Sequence, residues 1–227
     1  MSTPKTPTRV DRVYAELRAD ILAGRQQPGS RLPFADLATR YQASMGVIRE
    51  ALTRLQGEGL VESEPQSGFR VVSVSAENLQ HLTEARCAIE TLVLRKAIEH
   101  GDLAWESEVL ATHHRLDRTP TLASDGTGRL SDEWAAAHAA FHLALLAGCP
   151  NPVLLGIAVS LRDSAELYQR LSVPEDVTDR DITAEHRAIM EATLAHDADT
   201  ATRLLAQHIQ RTTDILLHNG FQAAQEQ

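Results

Sequence analysis

The stretch RLPFADLATRYQASMGVIREALTRLQGEGLVESEPQSGFRV, residues 31–71, decides the fold of the first third of the chain. Apolar residues recur at every third or fourth position in FADLATRY (34–41) and in MGVIREALTRLQ (45–56), and this period predicts two short helices. The segment QAS separates them as a tight break. Ser44 is a good N-cap for the second helix because its hydroxyl oxygen can accept from a free backbone N–H. Two short helices joined in this way are typical of a helix-turn-helix.

The period then changes from that of helices to that of strands. LVESEP and GFRVVSV have the composition of two short strands, and the turn residues 65–68 join them into a hairpin. A further helix is predicted at 9–23, where RVDRVYAELRADILA places its apolar residues at helical spacing. Three short helices and a hairpin predict a winged helix-turn-helix domain over 9–74, preceded by a disordered tail at 1–8. A generic small α+β domain is the alternative.

The remainder of the chain has the period of helices throughout. It predicts an all-α bundle of six to seven helices over 75–220, followed by a tail at 221–227. The fold class is therefore mainly α, with an N-terminal winged helix-turn-helix and a C-terminal all-α helical bundle. The helices of the bundle are predicted near 76–100, 102–117, 131–147, 151–171, 178–195 and 197–218.

Charge is divided unevenly along the 227 residues, whose net charge is −9. Residues 1–74 contain 10 Lys and Arg against 8 Asp and Glu, a net charge of +2, which leaves −11 for the remainder. A mildly basic first third and a strongly acidic remainder indicate two domains with different partners. The chain has no apolar run of about 18 residues and no apolar segment near its first residue. We therefore expect a cytoplasmic protein with no membrane partner.

The second helix of a helix-turn-helix enters the major groove of double-stranded DNA, and residues near its N-terminus reach base edges and phosphates. Here that helix begins at Ser44, whose hydroxyl and neighbouring N–H groups can hold a phosphate. Arg49, one turn on, can contact a phosphate or a guanine. For each arginine the alternative is a solvated surface charge. The candidate DNA contacts are Arg40, Ser44, Met45, Gly46, Arg49, Arg54 and Gly68.

Histidines mark a second candidate site. His138 and His142 lie four residues apart in WAAAHAAFHLALL, residues 134–146, so both face the same side of one helix. His186 and His208 lie on the apolar stripes of two later helices. The alternative is hydrogen bonding within the core, but burying four imidazoles without partners is costly. One metal ion satisfies all four, and neutral imidazole suits Zn, Ni, Cu or Fe. The other six histidines, His81, His100, His113, His114, His196 and His218, are expected at the surface.

The first 74 residues resemble the DNA-binding domain of GntR-family bacterial transcription regulators. The sequence departs from the family pattern at Ala35 and Met45, two positions that the resemblance implies read bases. Met45 can offer an apolar contact to a thymine methyl group instead of a polar one. The residues that carry the resemblance are Leu32-Pro33, Asp36-Leu37-Ala38, Arg49-Glu50-Ala51-Leu52, Leu55, Glu58-Gly59-Leu60-Val61 and Gly68.

Residues 78–218 resemble the FCD-type effector domain of the FadR branch of that family. The matching segments are HAAFHLALLAGCPNPVL and EHRAIMEATLAHDADTATRLLAQH. The resemblance implies a divalent transition metal held by His138, His142, His186 and His208. The family commonly has Asp where this chain has His138. An all-histidine set favours borderline metals, with Zn as the first expectation and Ni as the second.

The segment LTEARCAIETLVLRKAI is similar to the opening helix of the same domain. The resemblance implies that Arg86, Glu90 and Asn151 bind an effector, and a guanidinium beside a metal suits a small organic carboxylate. An interhelical salt bridge is the alternative role for Arg86, and a helix cap is the alternative for Asn151.

Together these features predict a ligand-responsive transcription regulator that binds a pseudo-palindromic operator as a homodimer. The resemblance implies a repressor released by its effector. Two alternatives stay open: a metal sensor, in which the ion is the signal, and a metal-dependent hydrolase with a DNA-binding appendage. The hydrolase needs a general base. Glu185 is the nearest candidate, but it follows His186 directly and so points about 100° away from it. We therefore expect a regulator and not an enzyme.

Overall fold

A computed structural model describes residues 7–22, 24–64, 68–73, 75–124, 130–171 and 180–220. The chain divides into two compact units. The first comprises Met1–Ser75 with Asp163–Leu171, and the second comprises Ala76–Arg162 with Ser172–Gln227. The tail predicted at 221–227 and nearly all of the tail predicted at 1–8 lie outside the described residues, as do most of the turn at 65–68 and the break at 173–177. The boundaries 9–74 and 75–220 stay predictions.

The first unit contains three helices, a two-stranded hairpin and the helical segment Asp163–Leu171. The strands are antiparallel, and their register pairs Val61 with Val71 and Glu64 with Gly68. This confirms the winged helix-turn-helix expected from the sequence. The elements are α1 (Arg9–Leu22), α2 (Phe34–Arg40), α3 (Met45–Gly57), β1 (Val61–Glu64) and β2 (Gly68–Val71).

The apolar residues that gave the sequence its helical period form the core of this unit. α1 packs against α3 through Leu17, Ile21, Ile48 and Leu52, which are fully buried. The break between α2 and α3 is tight because Gln42 adopts a left-handed conformation with φ of 48°. Such a short connection sets α3 across α2, so that the N-terminal end of α3 is presented to solvent.

The second unit is all helical within the described residues, in agreement with the predicted bundle. Side-chain caps from Asp102, Ser131 and Asp181 start helices of this unit. The helix expected from 178 begins at Ile182, where the Asp181 side chain caps the first turn by accepting from the Ala184 N–H. The helices are α4 (Ala76–His100), α5 (Leu103–Arg118), α6 (Asp132–Ala147), α7 (Pro152–Leu171), α8 (Ile182–Leu194) and α9 (Ala198–Gly220).

The Ala-rich α6 lies at the centre of this unit. Its small side chains allow neighbouring helices to approach closely, and Phe141 and Leu145 are fully buried in the core. α4 packs against α9, α5 against α6, and α8 against α9. This arrangement turns one face each of α6, α8 and α9 toward a common interior. None of the described helices is both long and apolar enough to cross a bilayer.

Candidate nucleic-acid interface and candidate metal centre

The N-terminal turn of α3 is open to solvent and has the features of an anion site. Ser44 precedes the helix in an extended conformation, and its hydroxyl oxygen accepts from the Val47 N–H at 3.4 Å. Met45 is half exposed, and a Cβ added at Gly46 would meet no atom within 4 Å. The free N–H groups of this turn and the positive end of the helix dipole therefore face outward, where a phosphate or a base edge can reach them.

Arg49 lies one turn further along α3, and its guanidinium sits over the ring of Phe34 at 5.0 Å from the ring centroid. Such stacking occupies the face of the guanidinium. The N–H groups at its edge remain able to donate, which is the geometry that two parallel hydrogen bonds to a phosphate or a guanine require. Phe34 therefore orients Arg49, a role that the sequence did not indicate.

The structure places Arg40 and Arg54 in ion pairs within this unit. Arg40 lies 2.7 Å from a carboxylate oxygen of Asp20, which also accepts from the Tyr41 hydroxyl. Arg54 donates to Asp11 at 2.8 Å and to Glu50 at 3.1 Å. Both arginines are partly exposed, and the pair of Arg54 with the exposed Asp11 is of the weak surface type, whereas Asp20 is buried. A phosphate contact by either arginine would thus exchange one anionic partner for another.

Gly68 opens β2 at the edge of the wing, with φ of 91°. A non-glycine residue would be strained in this conformation, although a Cβ would meet nothing closer than the Phe34 ring at 3.8 Å. The requirement for glycine therefore comes from the backbone conformation of the wing.

The four histidines of the second unit converge in its interior. One nitrogen from each of His138, His142, His186 and His208 lies within 4.8 Å of the corresponding nitrogens of the other three. The Nε2 atoms of His142 and His186 are 3.3 Å apart. A tetrahedral zinc ion with bonds of about 2.0–2.1 Å places its nitrogen ligands roughly 3.3 Å from one another. The donor type and the spacing therefore fit a metal ion, which these four residues would hold.

Aromatic rings enclose the cluster. Trp134 stacks on His138, with ring centroids 4.8 Å apart and planes inclined by 16°. Phe141 is fully buried and presents its edge toward His142 and His186. These ring contacts restrict the orientations of the imidazoles. Trp134 lies four residues before His138, so helical spacing could have revealed this contact.

Burial keeps the imidazoles of the cluster neutral. It lowers the pKa of His138 and of His142 well below its ordinary value, and nearby positive charges act in the same direction. Burial and the charge of His208 lower the pKa of His186 to about 2. Desolvation also lowers the pKa of His208, against the opposing effect of a hydrogen bond to Glu185. Neutral imidazoles have a lone pair free for a metal at neutral pH.

The buried Arg86 and the partly buried Arg162 share one carboxylate beside the cluster. Glu90 is fully buried, and it accepts from Arg86 Nε at 2.6 Å and from Arg162 at 3.0 Å. Burial alone would raise the pKa of Glu90, but the charges and hydrogen bonds of the two arginines outweigh it, so the pKa lies below its ordinary value. Arg86 therefore forms a salt bridge within α4 and, through Glu90, a link to α7. Sequence reasoning missed Arg162, whose surroundings in SLRDS carry no recognisable motif.

Glu185 lies closer to the cluster than its position in the sequence suggested. It does point away from His186, but this direction leads to α9, where its Oε2 accepts from His208 Nδ1 at 2.8 Å. Arg180 and Arg211 donate to the same carboxylate. Burial alone would raise the pKa of Glu185, yet the hydrogen bonds from His208 and the two arginines leave it well below its ordinary value.

Two further expectations change with the structure. His113 was expected at the surface, but it is buried with its ring edge against Phe141, because its side of α5 faces α6. Asn151 is exposed, and its side-chain oxygen accepts from the N–H groups of Val153 and Leu154. The structure therefore favours the role of helix cap for Asn151. A cavity of about 80 Å³ also reaches His186, and its walls include His113 and Trp134.

Each of the two parts of the chain matches a known protein family. Residues 9–71 match the family described as bacterial regulatory proteins, gntR family, and residues 81–211 match the FCD domain family. The second match alone spans more than half of the chain. The residues of the candidate nucleic-acid interface fall in the first match and the histidine cluster falls in the second.

Relatives of similar length are transcription regulators by name. The uncharacterized HTH-type transcriptional regulator BphR of Paraburkholderia xenovorans is 33% identical over 93% of this chain and 86% of its own. The HTH-type transcriptional repressor GlaR of Escherichia coli is 35% identical over 86% of this chain and 90% of its own. The structure of E. coli McbR/YncC has a TM-score of 0.75 and 21% identity, covering 94% of this chain and 99% of its own, and it supports the fold alone.

Because the buried histidines are neutral, we expect the metal-free protein to become less stable as the pH is lowered. In the unfolded chain a histidine has a pKa near 6.5, and in the folded state these values are lower, so only the unfolded state gains protons as the pH falls below about 6.5. The free energy of unfolding should therefore decrease by up to about 1.4 kcal/mol per pH unit for each such histidine. Urea titrations between pH 7.5 and pH 5.5 measure this slope.

Two variants test whether the buried histidines cause the pH dependence of the free energy of unfolding. His186→Leu should make it shallower, while His114→Leu, which removes an exposed histidine of α5, should leave it as in the wild type. An unchanged slope in His186→Leu would show that burial does not control the protonation of this residue.

Proposed function

The chain belongs to the GntR family of bacterial transcription regulators and carries an FCD domain, and from this premise we propose that it is a repressor released by a small organic carboxylate. The carboxylate binds at a metal ion in the helical unit. The observation that carries this proposal is the convergence of four neutral histidines beside the buried Arg86 and the partly buried Arg162. The expected family and the expected absence of enzymatic activity are confirmed, because the relatives are regulators.

We propose a divalent transition metal as the cofactor, with zinc first and nickel second. His138, His142, His186 and His208 supply four uncharged nitrogen donors, which suit borderline metals better than magnesium or calcium. Their lone pairs are available at neutral pH because burial disfavours the imidazolium form. The ion would in turn bind the lone pairs that converge in the cluster.

Charge balance favours an anionic effector at this centre. Neutral histidines leave the full charge of a divalent ion in place, and the positive charges of Arg86 and Arg162 also act on the cluster. Among the described contacts, Arg86 uses its Nε–H on Glu90, so its terminal N–H groups can grip a carboxylate in parallel. A buried excess of positive charge is costly, and a carboxylate between the ion and Arg86 would relieve it.

The DNA-binding part of the proposal rests on the N-terminal end of α3. A homodimer would present two copies of this end to the half-sites of a pseudo-palindromic operator. Effector binding would then change the population of the dimer arrangement that fits the half-site spacing. The name of the relative GlaR supports the assignment as a repressor. The proposed DNA contacts are Arg40, Ser44, Met45, Gly46, Arg49, Arg54 and Gly68.

A metal sensor is a second candidate function, and the number of histidines favours it. Four nitrogen ligands complete a tetrahedral zinc site. A zinc ion with four protein ligands has no open position for a further ligand, which is typical of structural sites. In this case the ion alone would change the affinity for DNA. The hydrolase is set aside because the relatives are regulators, and because Glu185 is already bonded to His208 and to two arginines.

Arg49→Ala is expected to weaken binding to the operator, because it removes the stacked guanidinium at the start of the recognition helix. A lost base contact of this kind costs about 1–3 kcal/mol, or roughly 5- to 150-fold in affinity. Gel-shift titrations against the region upstream of the gene measure the change. The control is Arg118→Ala, which removes an exposed arginine at the end of α5. Tight and selective binding by Arg49→Ala would contradict the proposed interface.

Protein purified without a histidine tag is expected to contain about one zinc or nickel ion per chain. His186→Ala and His208→Ala should each lose most of that metal, since removing one ligand opens the site. Elemental analysis of the purified proteins gives the ratio, and His114→Ala serves as the control with an exposed histidine. Full retention of the ion by both cluster variants would refute the ligand set.

Arg86→Met is expected to abolish the response to the effector while leaving the bound metal and the affinity for DNA unchanged. A thermal-shift screen of organic acids on the zinc-loaded protein identifies the responding carboxylate, and gel shifts with that acid measure release from the operator. Release of the Arg86→Met protein at the concentration that releases the wild type would contradict this role. Release by zinc alone, with no acid responding, would establish the metal sensor instead.

A further inference from the structure

We propose that Glu185 is a positioning residue for the metal centre, which selects the protonation state of His208 that can bind the ion. This inference rests on the proposed metal site. By accepting from His208, Glu185 keeps the single proton of the neutral imidazole on Nδ1. The lone pair then resides on Nε2, on the side of the ring opposite Glu185, where it is available to a metal.

The hydrogen bond is well placed for this role. His208 Nδ1 lies 2.8 Å from Glu185 Oε2, and both side chains are largely buried. Glu185 is the residue before His186, so α8 supplies one metal ligand directly and fixes a second ligand on α9. Metal-bound histidines generally donate their other N–H to a carboxylate or a carbonyl, which fixes the ring and strengthens the ligand.

A competing contact shows why the carboxylate is needed. Arg180 lies 3.1 Å from the same Nδ1 of His208, and it can only donate. If Arg180 donated to Nδ1, the proton of His208 would be on Nε2, and this nitrogen could not bind a metal. Glu185 excludes that arrangement, because its carboxylate can only accept a hydrogen bond from Nδ1. The carboxylate also forms an ion pair with Arg180, whose Nη2 lies 2.6 Å from Oε2.

The surroundings hold Glu185 in place. Arg180 donates to both of its carboxylate oxygens and to the backbone carbonyl of His208, and Arg211 donates to Oε1 at 3.0 Å. These donors fix the carboxylate against α9. His142 differs, since its Nδ1 is buried with no hydrogen-bond partner among the described residues. We therefore assign the fixed orientation to His208 and not to the cluster as a whole.

The first test uses the full-length protein without metal. Long-range proton–nitrogen NMR spectra at neutral pH distinguish the two neutral forms of histidine, and a His208→Gln spectrum assigns the signal. The wild type should show His208 protonated on Nδ1. In Glu185→Ala the proton should move to Nε2, because Arg180 then becomes the partner of Nδ1. The control is Glu191→Ala, which removes an exposed carboxylate from the same helix and should resemble the wild type.

The second test measures Zn²⁺ affinity by competition with a chromophoric chelator. Loss of such a supporting carboxylate should weaken binding by roughly 10- to 100-fold. Glu185→Gln retains an oxygen that can accept from His208, so its affinity should fall between those of Glu185→Ala and the wild type. A purely structural role for Glu185 would lower the melting temperature without moving the proton of His208.

The outcomes separate this inference from the proposal on which it rests. If wild-type protein bound no divalent ion, the proposed metal site would fail by that result alone. If the wild type bound Zn²⁺ and Glu185→Ala matched it in both affinity and His208 protonation, only the role of Glu185 would be overturned. A Glu185→Gln protein as impaired as Glu185→Ala in both measurements would also overturn it, since the acceptor oxygen would then be irrelevant.

Discussion

Four imidazole rings from α6, α8 and α9 meet in the interior of the helical unit, and the rest of the site follows from keeping them neutral there. Burial lowers their pKa values, since an imidazolium loses its hydration in the core. Each neutral ring has one N–H that needs an acceptor and one lone pair that needs a donor or a metal. Placing four such rings together is unfavourable unless something satisfies the lone pairs, and a single ion does so for all four at once.

The buried Glu90 and the partly buried Glu185, each held by two arginines, complete the surroundings of this centre. Glu90 joins Arg86 to Arg162 on the α4 side, and Glu185 joins Arg180 to Arg211 on the α9 side. Their consequences differ. Arg86 of the first group is the proposed contact for an anionic effector, whereas the second group holds one of the proposed metal ligands. Under the proposed function, the protein would recognise an anion through charges that the fold has already placed.

Much of the architecture could be predicted from the sequence, because the apolar periodicity is strong in both parts of the chain. The histidine cluster could be predicted too, since His138 and His142 share a helix face and His186 and His208 lie on apolar stripes. The bond from Glu185 to His208 could not be derived in this way. Helical spacing shows that Glu185 points away from His186, but only the packing of α8 on α9 shows what lies in that direction.

Other features that the sequence did not predict also depend on packing between elements. His113 appeared polar and exposed in its local sequence, but the close approach of the Ala-rich α6 buries it. The ion pairs of Arg40 and Arg54 depend on side-chain conformations, which apolar periodicity does not predict. Sequence patterns therefore located the elements and the residue types of the site, while the partners of charged side chains required the three-dimensional arrangement.

X-ray absorption spectroscopy of the zinc-loaded protein tests the four-histidine site, since it reports the atoms bound to the ion. If the four histidines hold the ion, its first shell should contain about four nitrogen neighbours at roughly 2.0–2.1 Å, with the outer-shell pattern of several imidazoles. A first shell of oxygen atoms without imidazole scattering, or one containing sulfur at about 2.3 Å, would contradict it.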